Sequence, residues 1–271
     1  METTRRELLK GMTGMALGAV ATSALAGLVG CAPKEAMAAQ GTATPTAAPA
    51  FPWPYQKVDP IAAAERAYAA YSQGGCMFGA FEGILGELRD KVGGPYLTFP
   101  SAMMKYGAAG VVGWGTLCGA LNGAAALLYL VLDAKAATAL INEVFAWYGS
   151  EELPNYKPKA PKFDTIKTSV ANSPLCHVSV TTWSVKSGFK TGSPERAERC
   201  AWLTASVAKY AVELLNQQAD SAFKAAHEVP QDVKACLSCH GKGGEVENVH
   251  ATSATSCTVC HTDIKPNHPS K

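Results

Sequence analysis

The stretch YGAAGVVGWGTLCGALNGAAALLYLVL, Tyr106–Leu132, runs for 27 residues without a charged side chain. A run of that length can cross a bilayer. Gly115, Gly119 and Gly123 even fall at the four-residue spacing that lets membrane helices touch. Against a span stand its six glycines, Asn122 and Cys118. The glycine-rich start is also a poor helix former. A buried core helix, approached closely by its neighbours, accounts for the same residues and predicts an all-α fold.

The flanks agree with that reading. Ile61–Tyr68 and Phe78–Val92 lack strand alternation and are rich in helix formers, with a break predicted near Gly74-Gly75. Asp133 can cap a helix reaching about Tyr148. Ser193-Pro194-Glu195 supplies a cap, a first-turn proline and an acidic first turn for a helix to about His227. Between Gly149 and Gly192 the pattern is loop-like, with Lys157, Lys159 and Lys162 interleaved with prolines. The chain has 271 residues, 48% of them hydrophobic and 17% charged, enough for one core with a small appendage. That composition argues against disorder and against a coiled coil. A net charge of +2 without a basic cluster excludes a nucleic-acid binder.

Residues 1–38 are an address. Arg5 and Arg6 precede an uncharged stretch rich in Gly and Ala, the pattern of a twin-arginine export signal. Two processing sites compete: Leu28-Val29-Gly30-Cys31 resembles a lipobox, with Cys31 as the acylated residue, and Ala36-Met37-Ala38 an ordinary signal-peptidase site. Either places the mature protein in the periplasm, attached to the membrane only if the lipid is added. Residues 39–60 are rich in Ala, Thr and Pro and suit an extended tether.

The C-terminal segment, 229–271, carries Cys236-Leu237-Ser238-Cys239-His240 and Cys257-Thr258-Val259-Cys260-His261. In C-x-x-C-H, two thiols add across the haem vinyl groups and the adjacent histidine ligates the iron. Two copies in an exported protein predict two haem c groups, anchored by Cys236, Cys239, Cys257 and Cys260, with His240 and His261 proximal. Zinc spacing is the competing reading, and the histidine after each pair opposes it. No methionine lies beyond Met104, so the sixth ligands are expected to be histidines. His227 and His250, nine and seven residues before their motifs, are the favoured distal ligands, with His177 and His268 as alternatives. Apolar residues are sparse in this irregular segment, so the haems should pack against each other or against neighbouring protein.

Cys76, Cys118, Cys176 and Cys200 are scattered through the helical domain at 61–228. An oxidising exterior permits two disulfides. Four thiolates are equally the ligand set of one iron–sulfur cluster. The twin-arginine route, which moves folded proteins, suits a centre inserted before export.

Cys76, the block Gly113-Trp114-Gly115-Thr116-Leu117-Cys118-Gly119-Ala120-Leu121-Asn122-Gly123, Cys176 and Cys200 together resemble the C-GCAxxG-C-C family. This sequence writes the central block as C-G-A-x-x-G. Followed by two C-x-x-C-H motifs, the domain is similar to the split-Soret cytochrome c family over about residues 61–271. The resemblance implies a periplasmic electron-transfer protein of anaerobic, sulfate-reducer-like bacteria, working with other periplasmic or membrane redox proteins. It also implies a homodimer with stacked bis-His haems and one haem ligand donated across the interface. An iron–sulfur cluster on the four family cysteines is implied too, with the [2Fe–2S] form favoured. For His177 three readings stay open: a neighbour of the cluster, a ligand to the partner's haem, or a core histidine bonded to backbone. The rival function is an oxidoreductase reducing a small oxyanion or metal ion. It requires an open iron site, and four spare histidines for two sixth positions argue against one at the haems.

Overall fold

The computed structural model describes residues 49–247, 254–259 and 261. They belong to one compact unit, Ala47–Lys271. The export signal, Cys31, most of the tether, His250, Cys260 and His268 lie outside the described residues.

The first helix, α1 (Pro60–Val92), starts where the Asp59 carboxylate accepts a hydrogen bond from the Ile61 amide at 2.8 Å, with Pro60 in the first turn. It ends at Gly93, whose φ is 69°. Gly75 (φ 78°, ψ −171°) breaks it internally, in a backbone region open essentially to glycine alone. The second half of α1 therefore opens at Cys76. Two 3₁₀ segments, Gly94–Thr98 and Ser101–Gly107, lead to a loop and then to α2 (Gly119–Val131) and α3 (Ala134–Ser150). A two-residue antiparallel ladder pairs β1 (Glu152–Leu153) with β2 (Ser169–Val170), Glu152 opposite Val170. Helices α4 (Cys176–Ser187), α5 (Pro194–Ala219) and α6 (Gln231–His240) follow, then a 3₁₀ turn at Cys257–Val259.

The two long helices, α1 and α5, form the main pair; α2 packs on α1, and α3 packs on α2 and α5. Phe81, Ile84 and Leu88 of α1 meet Leu121, Leu127 and Leu128 of α2, Leu140 and Tyr148 of α3, and Val207, Ala211 and Leu215 of α5 in one core. Among the described residues no helix is long and apolar enough to cross a membrane. The fold is mostly helical.

One expectation holds and two change in detail. The glycine-rich start of the uncharged run is not α-helical, as expected, and from Gly119 the run forms a core helix, α2, with Leu121, Leu127 and Leu128 fully buried. The loop region contains α4, built from Ser, Thr and Val that favour other conformations. Packing overrides that preference: Trp183 is fully buried and its Nε1 donates to the Lys167 carbonyl at 2.6 Å. The tether stops short of Pro60, because Trp53 and Val58 are buried in the core. Trp53 packs edge-on against Tyr96 and Phe99 and donates its amide to the Leu130 carbonyl at 2.8 Å.

Asp133 caps α3 as its sequence indicates, accepting from the amides of Lys135 at 2.9 Å and Ala136 at 3.0 Å. Asp133→Ala is expected to cost about 0.5–2 kcal/mol. Thermal unfolding beside the parent protein measures it.

Candidate redox centres

Each upstream cysteine is placed by a different element. Cys76 begins the straight second half of α1, Cys118 is the N-cap of α2, Cys176 is the first residue of α4, and Cys200 lies in the second turn of α5. The segments before α2 and α4 are tied together. Leu117 and Leu175 form an antiparallel bridge, the Cys118 amide donates to the Pro174 carbonyl at 2.8 Å, and the Cys176 amide donates to the Thr116 carbonyl at 2.7 Å. Glycines bring α2 onto α1: a Cβ on Gly119 would lie 2.5 Å from the Cys76 Sγ, and one on Gly123 only 2.3 Å from the Met77 carbonyl oxygen. The four-residue glycine spacing thus serves an intramolecular contact.

As a result Cys76, Cys118, Cys176 and Cys200 line one small cavity, together with Tyr148, Ser179, Val180, Arg199 and Leu203. None of the seven described cysteines is in a disulfide. Four thiols without a carboxylate or imidazole form a soft donor set, suited to iron–sulfur chemistry. Among the described residues no three His, Cys, Asp or Glu side chains converge tightly enough for a single ion.

The local electrostatics favour bound thiolate. Three of the four cysteines sit at helix starts, where the backbone presents partial positive charge. The Ala109 amide lies beside the Cys76 sulfur, and the Ala120 amide and Tyr148 hydroxyl lie beside the Cys118 sulfur, each favouring the thiolate. Ala109 (φ 53°) belongs to a left-handed run with Val111 (φ 62°) and Val112 (φ 43°), unusual for a β-branched residue. The Gly115 and Thr116 amides hold the run closed by donating to the Ala109 and Gly110 carbonyls, both at 3.2 Å. Its strain is kept beside the Cys76 sulfur. Burial opposes ionisation of the metal-free thiols. It raises Cys76, Cys118 and Cys176, the last to about 12, and the neighbouring cysteines add to the rise in Cys76 and Cys176. A metal binding here must displace protons.

Tyr148, Ser179 and Arg199 were not singled out from the sequence. The readable signal was an arginine, Arg199, on the same stripe of α5 as Leu203 and Val207. His177 directly follows Cys176 and is exposed, so it is not a core histidine.

The C-terminal motifs come together as well. Cys236, Cys239 and His240 share one face of α6, and the Cys257 thiol lies beside that of Cys236. The Ser256 hydroxyl donates to the Asp232 carboxylate near the start of α6, fixing the second motif against the first. His261 follows its motif, its amide donating to the Cys257 carbonyl at 2.9 Å. His227 lies on the connector before α6, where its backbone amide donates to the Glu143 carboxylate.

Known proteins match this arrangement. The C_GCAxxG_C_C family model matches residues 78–214, a span holding Cys118, Cys176 and Cys200, with Cys76 two residues before it. The chain therefore belongs to the C_GCAxxG_C_C family of four-cysteine proteins. It is 36% identical to split-Soret cytochrome c of Desulfovibrio desulfuricans, an alignment covering 95% of this chain and 94% of that one. A solved structure of split-Soret cytochrome c from Desulfovibrio desulfuricans, described as having a novel iron centre, superposes with a TM-score of 0.72. That match has 38% identity over 77% of this chain and 90% of the other. Within the family the chain stands with the split-Soret cytochromes, as a redox electron-transfer protein.

Proposed function

We propose that this protein is a periplasmic carrier of single electrons, holding two bis-His c-type haems on its C-terminal segment and an iron–sulfur cluster on Cys76, Cys118, Cys176 and Cys200. One observation carries the reading: four cysteines from four separate helices line one cavity, in a chain that also brings two C-x-x-C-H motifs into contact. Bound iron supplies one-electron chemistry. The protein's own groups do the rest. Helix starts and backbone amides stabilise the thiolates, the fold keeps Cys118 from water, and α6 sets two thiols and His240 on one face. His240 and His261 serve as proximal ligands, and two of His227, His250, His177 and His268 as distal ones. The likeness to split-Soret cytochrome c favours a homodimer, and the paired arginines favour export by the twin-arginine route.

The test is chemical analysis of the native full-length protein. Haem staining after denaturation, total iron and acid-labile sulfide are expected to give two covalent haems plus about two further irons with two sulfides per chain for a [2Fe–2S] centre. Iron equal to haem, with no sulfide, would remove the cluster and leave the haem reading. A fully low-spin oxidised spectrum that cyanide does not change is the result expected of a carrier.

A further inference from the structure

Arg199 is the one basic side chain that the fold buries among the described residues, 1% exposed. A guanidinium stays charged in such a place and carries five N–H donors. Few of them are used. Nη2 donates to Ser179 Oγ at 2.9 Å, Nη1 stands 4.0 Å from the Cys200 sulfur, and Nε has no partner. Among the described residues no carboxylate lies within ion-pairing distance. The adjacent Glu198 is buried too, but its Oε1 accepts from the Tyr68 hydroxyl (2.6 Å), Trp202 Nε1 (2.8 Å) and the Lys162 amide (2.9 Å). A desolvated cation without an anion is strongly unfavourable. The fold nevertheless sets this one in the wall of the four-cysteine cavity. Its missing partner is an anion that occupies the cavity.

A cluster supplies that anion. Four thiolates around a core of charge +2 leave a net charge of −2, for a two-iron or a four-iron core alike. When the centre takes one electron, from a reduced haem c or an added reductant, one ferric iron becomes ferrous and the charge becomes −3. A fixed neighbouring cation in a dry site stabilises the second state more than the first. We propose that Arg199 is the internal counter-ion of the four-cysteine centre and sets how readily that centre accepts an electron. This rests on the cluster reading above. Arg199 acts as a positioning residue as well: the Ser179 hydroxyl that it holds also accepts from the Tyr148 hydroxyl, at 2.8 Å, beside the Cys118 sulfur.

The experiment is a dithionite titration of the full-length holoprotein, followed by the paramagnetic signal of the reduced cluster, for the parent, Arg199→Gln, Arg199→Lys and Arg196→Gln. Removing the buried charge in Arg199→Gln is expected to weaken electron affinity at least tenfold, a fall of at least 59 mV for a one-electron couple. Arg199→Lys keeps the charge and is expected to stay within threefold of the parent. Arg196→Gln removes an equal charge nearer the start of α5 and is also expected to stay within threefold. Should Arg199→Gln bind no cluster while keeping its helical circular dichroism and haem bands, and Arg199→Lys bind it, the counter-ion role is again supported. An unchanged midpoint in Arg199→Gln overturns the proposal. So does an equal shift in Arg196→Gln, or cluster loss in Arg199→Lys as well. Absence of labile sulfide in the parent protein overturns the cluster reading instead, and is told apart by that measurement.

Discussion

Cys118→Ala in the full-length protein is expected to bring acid-labile sulfide to background and to remove the non-haem iron, while both covalent haems remain. Cys118 is 4% exposed, and its position is over-determined. Its amide is bonded to the Pro174 carbonyl, its sulfur lies beside the Ala120 amide and the Tyr148 hydroxyl, and α2 starts directly after it. Alanine offers no donor atom, and the residues lining the cavity include no spare carboxylate or imidazole to replace it. Three thiolates leave one iron with an open position, where water and oxygen attack. The haem motifs lie on α6 and the 3₁₀ turn after it, elements that do not include Cys118, so the haem bands serve as an internal standard. The effect should therefore be selective rather than global: sulfide at least tenfold below the parent at equal haem content. Full retention of sulfide would take Cys118 out of the ligand set.

How legible all this was depends on whether a feature is local. The breaks and caps are local, and they can be read from the sequence. Gly74-Gly75 marks the kink that the structure places at Gly75, Asp133 caps α3, and Ser193 with Pro194 opens α5. The four cysteines are legible as residues, since thiols are few and the spacing of the haem motifs is fixed by haem chemistry. Their convergence is not, because it depends on backbone approaches such as Gly119 on Cys76 and on the bridge between Leu117 and Leu175. Helix α4 could not be seen, because Ser, Thr and Val in Cys176–Ser187 carry little helical preference; buried Trp183 and Ser179 hold it instead. The α5 helix was expected to reach His227 but ends at Ala219, since Ser221 turns left-handed (φ 57°) and the chain folds back on Gln217. Arg199 reads in the sequence as an ordinary helical arginine. Only its burial without an anion makes it informative.

A substitution at a residue that offers no ligand atom should matter nearly as much as a lost thiol. Gly123 lies one turn into α2, and a Cβ there would meet the Met77 carbonyl oxygen at 2.3 Å and the Phe81 amide nitrogen at 3.1 Å. Both are backbone atoms of α1, so no side-chain rotation can relieve the clash; the helices must separate. Gly123→Val also loses the tight interdigitation around Leu121 and Phe81, and overpacking of this kind costs about 1–3 kcal/mol. The gain in helix propensity over glycine, of a few tenths of a kcal/mol, does not offset that cost. The displacement is carried to the site, because Cys118 precedes α2 directly and Cys76 precedes Met77 directly. Moving α2 off α1 therefore spreads two of the four sulfurs. Gly123→Val is expected to lower the denaturation midpoint and, at denaturant concentrations where the fold persists, to bind iron and sulfide at a reduced level. Gly192→Ala, where a Cβ would meet nothing within 4 Å, is the matched control and should change neither by a measurable amount. If Gly123→Val lowers stability but leaves cluster content intact, the helix contact supports the fold without setting the sulfur positions; if it changes neither, the close approach of α2 to α1 is not what the protein relies on.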